Sequence, residues 1–332
     1  MKRAAATAGV LAAMALPFAT ISRGDAEVRW RQLVSVTGAV DVAGPRADGR
    51  FVVASRQGLF LLRRNGKTTP FARGPGGYVP PIGEPYAAVA RTRRVPGAGC
   101  AFRGDDVYAL EPTSTPGVTL VRRTGRARRF MDLPAGSFPS SIAFDGVGRF
   151  GYRLLVTALV SDRTTLYAFD CRGRARVVTR GALKVEGGAA VAPLTFRPFG
   201  GQLIAADEFS GRIYAFSATG RVSVVVRPNL SVGRDLGVES VGFVPRGFTR
   251  RGAAFLADTG APGSPTEGTD TVLTLSGAQL DRTRVRPGDL LVATEARGVT
   301  VDVRCARRCS VRGIGRAFDA THGEGHIAFA VG

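Results

Sequence analysis

Lysine is nearly missing from this chain. Of 46 basic residues only Lys2, Lys67 and Lys184 are lysine, and the other 43 are arginine. Histidine occurs twice, asparagine twice, tryptophan once and cysteine four times in 332 residues. With so few cysteines and histidines, no second pair exists to complete a metal site around Cys305 and Cys309. The single tryptophan, Trp30, lies outside any repeat, which excludes a WD-type array. Paired glycines do not recur at one repeat position, which argues against the kelch type. No Gly-x-Ser-x-Gly elbow, P-loop or His-Glu-x-x-His motif occurs. Beyond the N-terminus there is no apolar run long enough to span a bilayer. At 44% hydrophobic and 8% aromatic residues, the chain is too apolar for a disordered protein and too polar for a multi-span membrane protein.

The one apolar run stands at the start. Lys2-Arg3 precedes an uncharged Ala/Leu/Val-rich stretch over residues 4–19, and Gly24-Asp25-Ala26 offers small residues for cleavage. This predicts a signal peptide over residues 1–26 and one domain over 27–332, hence a secreted or extracytoplasmic protein; an uncleaved anchor is the alternative. Removal of the signal changes the net charge from +20 to +18. Export permits disulfides. Three pairings of Cys100, Cys171, Cys305 and Cys309 are possible. Short strand-like runs on either side of residues 306–308 favour a hairpin with Cys305 bonded to Cys309, leaving Cys100 with Cys171.

Glycine and proline are plentiful, at 44 and 19 residues. They punctuate a repeat. Residues 203–226 read as a strand to Ala206, a polar turn, a strand over 212–216, a glycine turn and a strand from Val222. Similar phrases cover residues 154–178 and 50–66, the latter with the hairpin pair Asn65-Gly66. A looser copy covers 253–277. A small apolar strand precedes each unit, beginning near Tyr86, Ser141, Gly188 and Ser240. Two units fill the 102 residues from Glu84 to Glu186, and one fills the 53 from Glu186 to Glu239. A period near 50 residues with four strands per unit predicts an all-β fold, a six-bladed β-propeller with four-stranded antiparallel blades and helices absent or minor. The last apolar run, from His322 to Val331, has the character of an inner strand. Its position predicts a closing blade shared by the two chain ends.

The phrase in residues 203–216, with Ala206-Asp207 closing one strand and Arg212-Ile213 opening the next, resembles the NHL-type repeat. Over residues 40–330 the chain resembles the NHL, TolB-like and gluconolactonase-like superfamily of six-bladed propellers. Gluconolactonase-like enzymes hold a divalent metal in the channel with a Glu, an Asn and an Asp. Here Asn65 sits in a hairpin turn and Asn229 in a loop, so that pattern is broken.

Candidate sites follow from where inner strands begin. Glu84, Glu186, Glu239 and Glu324 each stand just before such a strand. Carboxylates around one axis repel unless a cation or arginines sit among them. Ca²⁺ or another divalent ion is the natural guest, with pairing to arginine as the alternative. The turn before the strand at Ser141, Phe138-Pro139-Ser140, carries no such acid. His322 and His326 are the candidate catalytic residues: on an extended strand, 322, 324 and 326 face one side, which suits Zn²⁺ binding or acid–base work. Closure of the chain is the structural alternative for the two intervening glycines. Asp207, Glu208 and Asp258 end strands and are expected to bond the turns that follow.

Arginine pairs are scattered through turns and outer strands, without the clustering and aromatic interleaving of a nucleic-acid binder. Anionic envelope polymers are the partners this charge suits. The expected function is a non-enzymatic binding or scaffold propeller, monomeric, taking a protein, carbohydrate or small-molecule ligand. The alternative is a metal-dependent, lactonase-like hydrolase or lyase with its site in the channel.

Overall fold

The computed structural model describes residues 28–332. The expected signal peptide, residues 1–26, lies outside them. Short runs of β-branched and aromatic residues, cut by Gly, Asp and Ser, form the strands. Four separate four-stranded antiparallel sheets succeed one another. The first holds Ala39–Ala43, Phe51–Ser55, Gly58–Leu62 and Thr68–Phe71; the second Ala87–Val89, Val107–Glu111, Gly117–Val121 and Ala127–Asp132. The third holds Phe138–Phe144, Leu154–Val160, Arg163–Phe169 and Ala175–Ala182; the fourth Glu186–Val191, Leu203–Asp207, Arg212–Phe216 and Val222–Val226. Of the remaining strands, Arg93–Val95 and Cys100–Phe102 form a small hairpin of their own, and the other nine make one sheet: two four-stranded antiparallel ladders that meet through a parallel pair, Val241 with His326, plus Val28–Arg29, which lies parallel to Cys309–Arg316. The result is an all-β, propeller-like fold.

One ladder of the nine-stranded sheet runs Val238–Phe243, Leu290–Thr294, Thr300–Cys305, Cys309–Arg316. The other runs Gly323–Ala330, Ala253–Asp258, Thr271–Ser276, Arg31–Ser35. The chain ends therefore do share a ladder, as the tail predicts. The path between them differs from the repeat reading. Strand Ala253–Asp258 does not pair with Val238–Phe243 but crosses to the next ladder and pairs with the C-terminal strand. The chain returns through a short helix, Gly277–Arg282, capped by the reciprocal Ser276–Gln279 box. Local alternation marks a hairpin but does not say which inner strand it joins.

Six strands, those starting at Ala39, Ala87, Phe138, Glu186, Val238 and Gly323, bring their later residues to one axial cavity of about 280 Å³. Small residues are required there because backbones touch. A Cβ on Gly188 would strike the carbonyl of Gly325, and one on Gly242 that of Ile327. Between sheets the core is apolar and aromatic: Phe102, Tyr108, Phe130 and Phe144 join the second and third sheets edge to face. Cys100–Cys171 pins the small hairpin Arg93–Val95/Cys100–Phe102 to the third sheet, and Cys305–Cys309 closes its own turn.

Candidate metal centre at the acidic mouth of the axis

The inner strands begin at the mouth opposite that cavity. Glu186 opens its strand, Glu239 and Glu324 are second in theirs, and Glu84 lies three residues before Ala87–Val89. Tyr86 joins three of them. Its hydroxyl lies 2.8 Å from Glu84 Oε2, 3.0 Å from Glu239 Oε1 and 2.8 Å from Glu324 Oε2. A phenol has one proton to give, so tyrosine donates in only one of these contacts. The phenolic oxygen faces the other two carboxyls, which must supply their own protons to bond it. Burial, reinforced by Glu324, Glu84 and Glu239, raises the Tyr86 hydroxyl far above the usual range. Glu239 is pushed well up by burial and by its carboxylate neighbours, and Glu324 to about 8 for the same reasons. Glu186, paired with Lys184 at 3.1 Å, is also raised by burial.

Three further acids stand here that inner-strand position does not reveal. Glu208 and Glu295 follow the second strands of their ladders, and Asp235 lies in the loop before Val238. Single ligand oxygens of Glu208, Glu239 and Glu295 all lie within 4.8 Å of one another, as do ligand atoms of Asp235, Glu295 and His322. Glu208, Glu239 and Glu295 are buried, and Glu295 Oε2 has no hydrogen-bond partner. Burial, with Glu295 and Glu186 nearby, lifts Glu208 to about 8. A hard cation suits such a set, because carboxylate oxygens are its preferred donors and it would remove the repulsion. Asp207 and Asp258 do bond turns: Asp207 accepts from Phe209 N and Ser210, and Asp258 from Thr269 and from His322 N. Glu208 turns into the acidic mouth instead.

The two histidines part company. His322 is 96% buried. Its Nε2 lies 2.8 Å from Glu295 Oε1 and 3.5 Å from Glu324 Oε1, while Nδ1 faces the Thr266 carbonyl at 2.9 Å and the Ser264 hydroxyl at 3.2 Å. Burial disfavours its charge, but Glu295 and Glu324 outweigh that and raise it to about 10. His326 leaves the common face because Gly325, at φ +69°, turns the chain. Its Nδ1 sits 2.9 Å from Asp41 Oδ1 and its Nε2 donates to Ile142 O at 2.9 Å. Burial opposes its charge and Asp41 sustains it, with a net upward shift. His326 thus ties the C-terminal strand across the axis to the first and third sheets, between the acidic mouth and the apolar cavity.

No protein-family model matches this chain, and no curated protein does. Solved structures share its fold. Regucalcin from Agrobacterium tumefaciens, described as a calcium-binding protein, aligns with 89% of this chain and 84% of its own at 11% identity and a TM-score of 0.50. Virginiamycin B lyase from Staphylococcus aureus aligns over 86% and 88% at 9% identity and a TM-score of 0.46. A putative glucose dehydrogenase from Thermus thermophilus aligns over 87% and 89% at 19% identity and a TM-score of 0.44. The chain therefore shares its fold with regucalcin.

Proposed function

We propose that the acidic mouth binds a divalent cation, Ca²⁺ by the hardness of its donors, and that the protein is a metal-dependent hydrolase or lyase working there. The observation that carries this is the buried group Glu208, Glu239 and Glu295, with its orphaned Glu295 oxygen, set against the His322 imidazole. Glu84, Glu186 and Glu324 complete the acidic wall. When bound, the cation polarises a carbonyl oxygen or acidifies a water. The chain supplies the proton chemistry. His322 is held by Thr266 O on one nitrogen and by Glu295 on the other, so it is a fixed imidazolium and a general acid toward a leaving group. Glu324, 3.5 Å away, takes protons from it or returns them. His326, turned away from the acidic group onto Asp41 and the Ile142 carbonyl, is a positioning residue in this scheme.

The nine-stranded sheet counts here as two blades, which makes six around the axis. Two disulfides fit a site of action outside the cytoplasm. Calorimetric titration of Ca²⁺ into chelator-treated protein, followed by a panel of lactones and esters, tests the proposal. Stoichiometric binding lost in Glu295→Gln, and turnover lost in His322→Gln with binding retained, are expected. Absence of any divalent binding would return the protein to the non-enzymatic binding role.

A further inference from the structure

The charge of the molecule is sorted between its two faces. Inner strands run from the acidic mouth toward the apolar cavity, and the ladders are antiparallel. The turns after the first and third strands of each ladder therefore gather on the cavity face. These connections are residues 44–50, 63–67, 90–106, 122–126, 145–153, 170–174, 192–202, 217–221, 244–252, 277–289 and 306–308. They hold 26 of the arginines and lysines against 7 aspartates and no glutamate. The connections on the opposite face, among the described residues, hold 6 basic and 8 acidic residues. Of the 26, 22 are exposed, whereas Asp106, Asp145, Asp170 and Asp289 are buried in bonds to their own turns and arginines.

Within this face a cleft of about 410 Å³ is lined by Thr92, Arg103, Gly104, Asp106, Arg122, Arg123 and Thr124. Asp106 is neutralised by Arg122 at 2.6 Å. The Arg103 and Arg123 guanidiniums have no ion pair or side-chain hydrogen bond among the described residues, so both are available to a ligand. Guanidinium forks beside hydroxyls suit phosphate oxygens, which they can bind bidentately.

We infer that this face binds a phosphate-bearing linear polyanion, with the Arg103–Arg123 cleft as an anchoring subsite. A polymer fits better than a bilayer. Surfaces that lie in membranes pair their basic residues with apolar wedges. Here most of the large exposed apolar side chains, among them Val79, Ile82, Leu183, Phe209 and Val232, lie on the opposite face, with Val177, Leu194 and Val331 nearer the basic one. Charge spread around the whole rim also suits a flexible chain that touches many points at once.

Inorganic polyphosphate, added to the full mature protein and followed by fluorescence anisotropy, is the test. Binding should weaken by at least about 100-fold between roughly 50 and 200 mM salt, as expected for release of several counterions. Arg103→Glu/Arg123→Glu should lower affinity at least tenfold. Arg227→Glu/Arg234→Glu, the same charge change on exposed residues of the opposite face, should alter it less than twofold. Vesicles of phosphatidylcholine with phosphatidylglycerol form the second arm. No polyphosphate binding, equal losses from both double variants, or binding of vesicles without polyphosphate would each overturn the inference.

Discussion

At the scale of single residues, the acidic mouth is a store of unfavourable charge. Glu324 and Glu208 at about 8, with Glu239 and Glu295 also raised, bind more protons folded than unfolded. Their contribution is therefore fullest below the unfolded value near 4.5 and declines as pH rises through the folded values. His322, raised to about 10, has the same sign: its contribution is complete below about 6.5 and fades toward pH 10. Chelator-treated protein should melt at progressively lower temperature from pH 5 to pH 9, and Ca²⁺ should restore the loss at the alkaline end. A flat or rising profile in calorimetry would contradict this. Glu239→Gln should raise the melting temperature of the metal-free protein at alkaline pH while abolishing the calcium response. A merely structural glutamate would not give these opposite signs. His326→Ala should strip the imidazole from the buried Asp41, leaving it only the backbone N–H groups of Ala87 and residue 326, at about 1.5–3 kcal/mol of stability by denaturant unfolding.

At the scale of elements, strands and their inner-edge acids are legible because they are local. Small-residue strands preceded by a glutamate, at a spacing near 50, point to Glu84, Glu239 and Glu324, which the structure joins through Tyr86. Glu208 and Glu295 are hidden because they follow second strands, where an acid ordinarily bonds its turn, as Asp207 does. In the sequence Tyr86 is one more apolar position. Alternation groups His326 with His322 because it assumes an unbroken strand, and Gly325 breaks it. The crossing of Ala253–Asp258 to the next ladder has no local signal at all. Two element-level outcomes follow. Gly188→Ala should cost about 1–3 kcal/mol by thermal melting, since its Cβ would fall 2.2 Å from the Gly325 carbonyl oxygen, a backbone atom. Replacing Cys100 and Cys171 by serine, which opens a loop with a sequence separation of 71, should cost about 4 kcal/mol. The same change at Cys305 and Cys309, separated by 4, should cost about 2 kcal/mol.

At the scale of the whole molecule, the arginine excess becomes a direction rather than a sum. A face with 26 basic residues opposes one with a buried acidic centre, so the protein has an electrical front and back. Its retention on a cation exchanger should depend on Arg103 and Arg123 more than on Arg227 and Arg234, read as a difference in eluting salt. The crossed strands bear on something else, the order of events during synthesis. The first four sheets are each complete as soon as their own residues have emerged. The last two ladders wait, because one lacks an inner strand until Gly323–Ala330 arrives and also borrows Arg31–Ser35 from the beginning. A chain shortened by its final ten residues thus forfeits the lock between its two termini, and the ring should remain an open, protease-sensitive arc until the very end of translation.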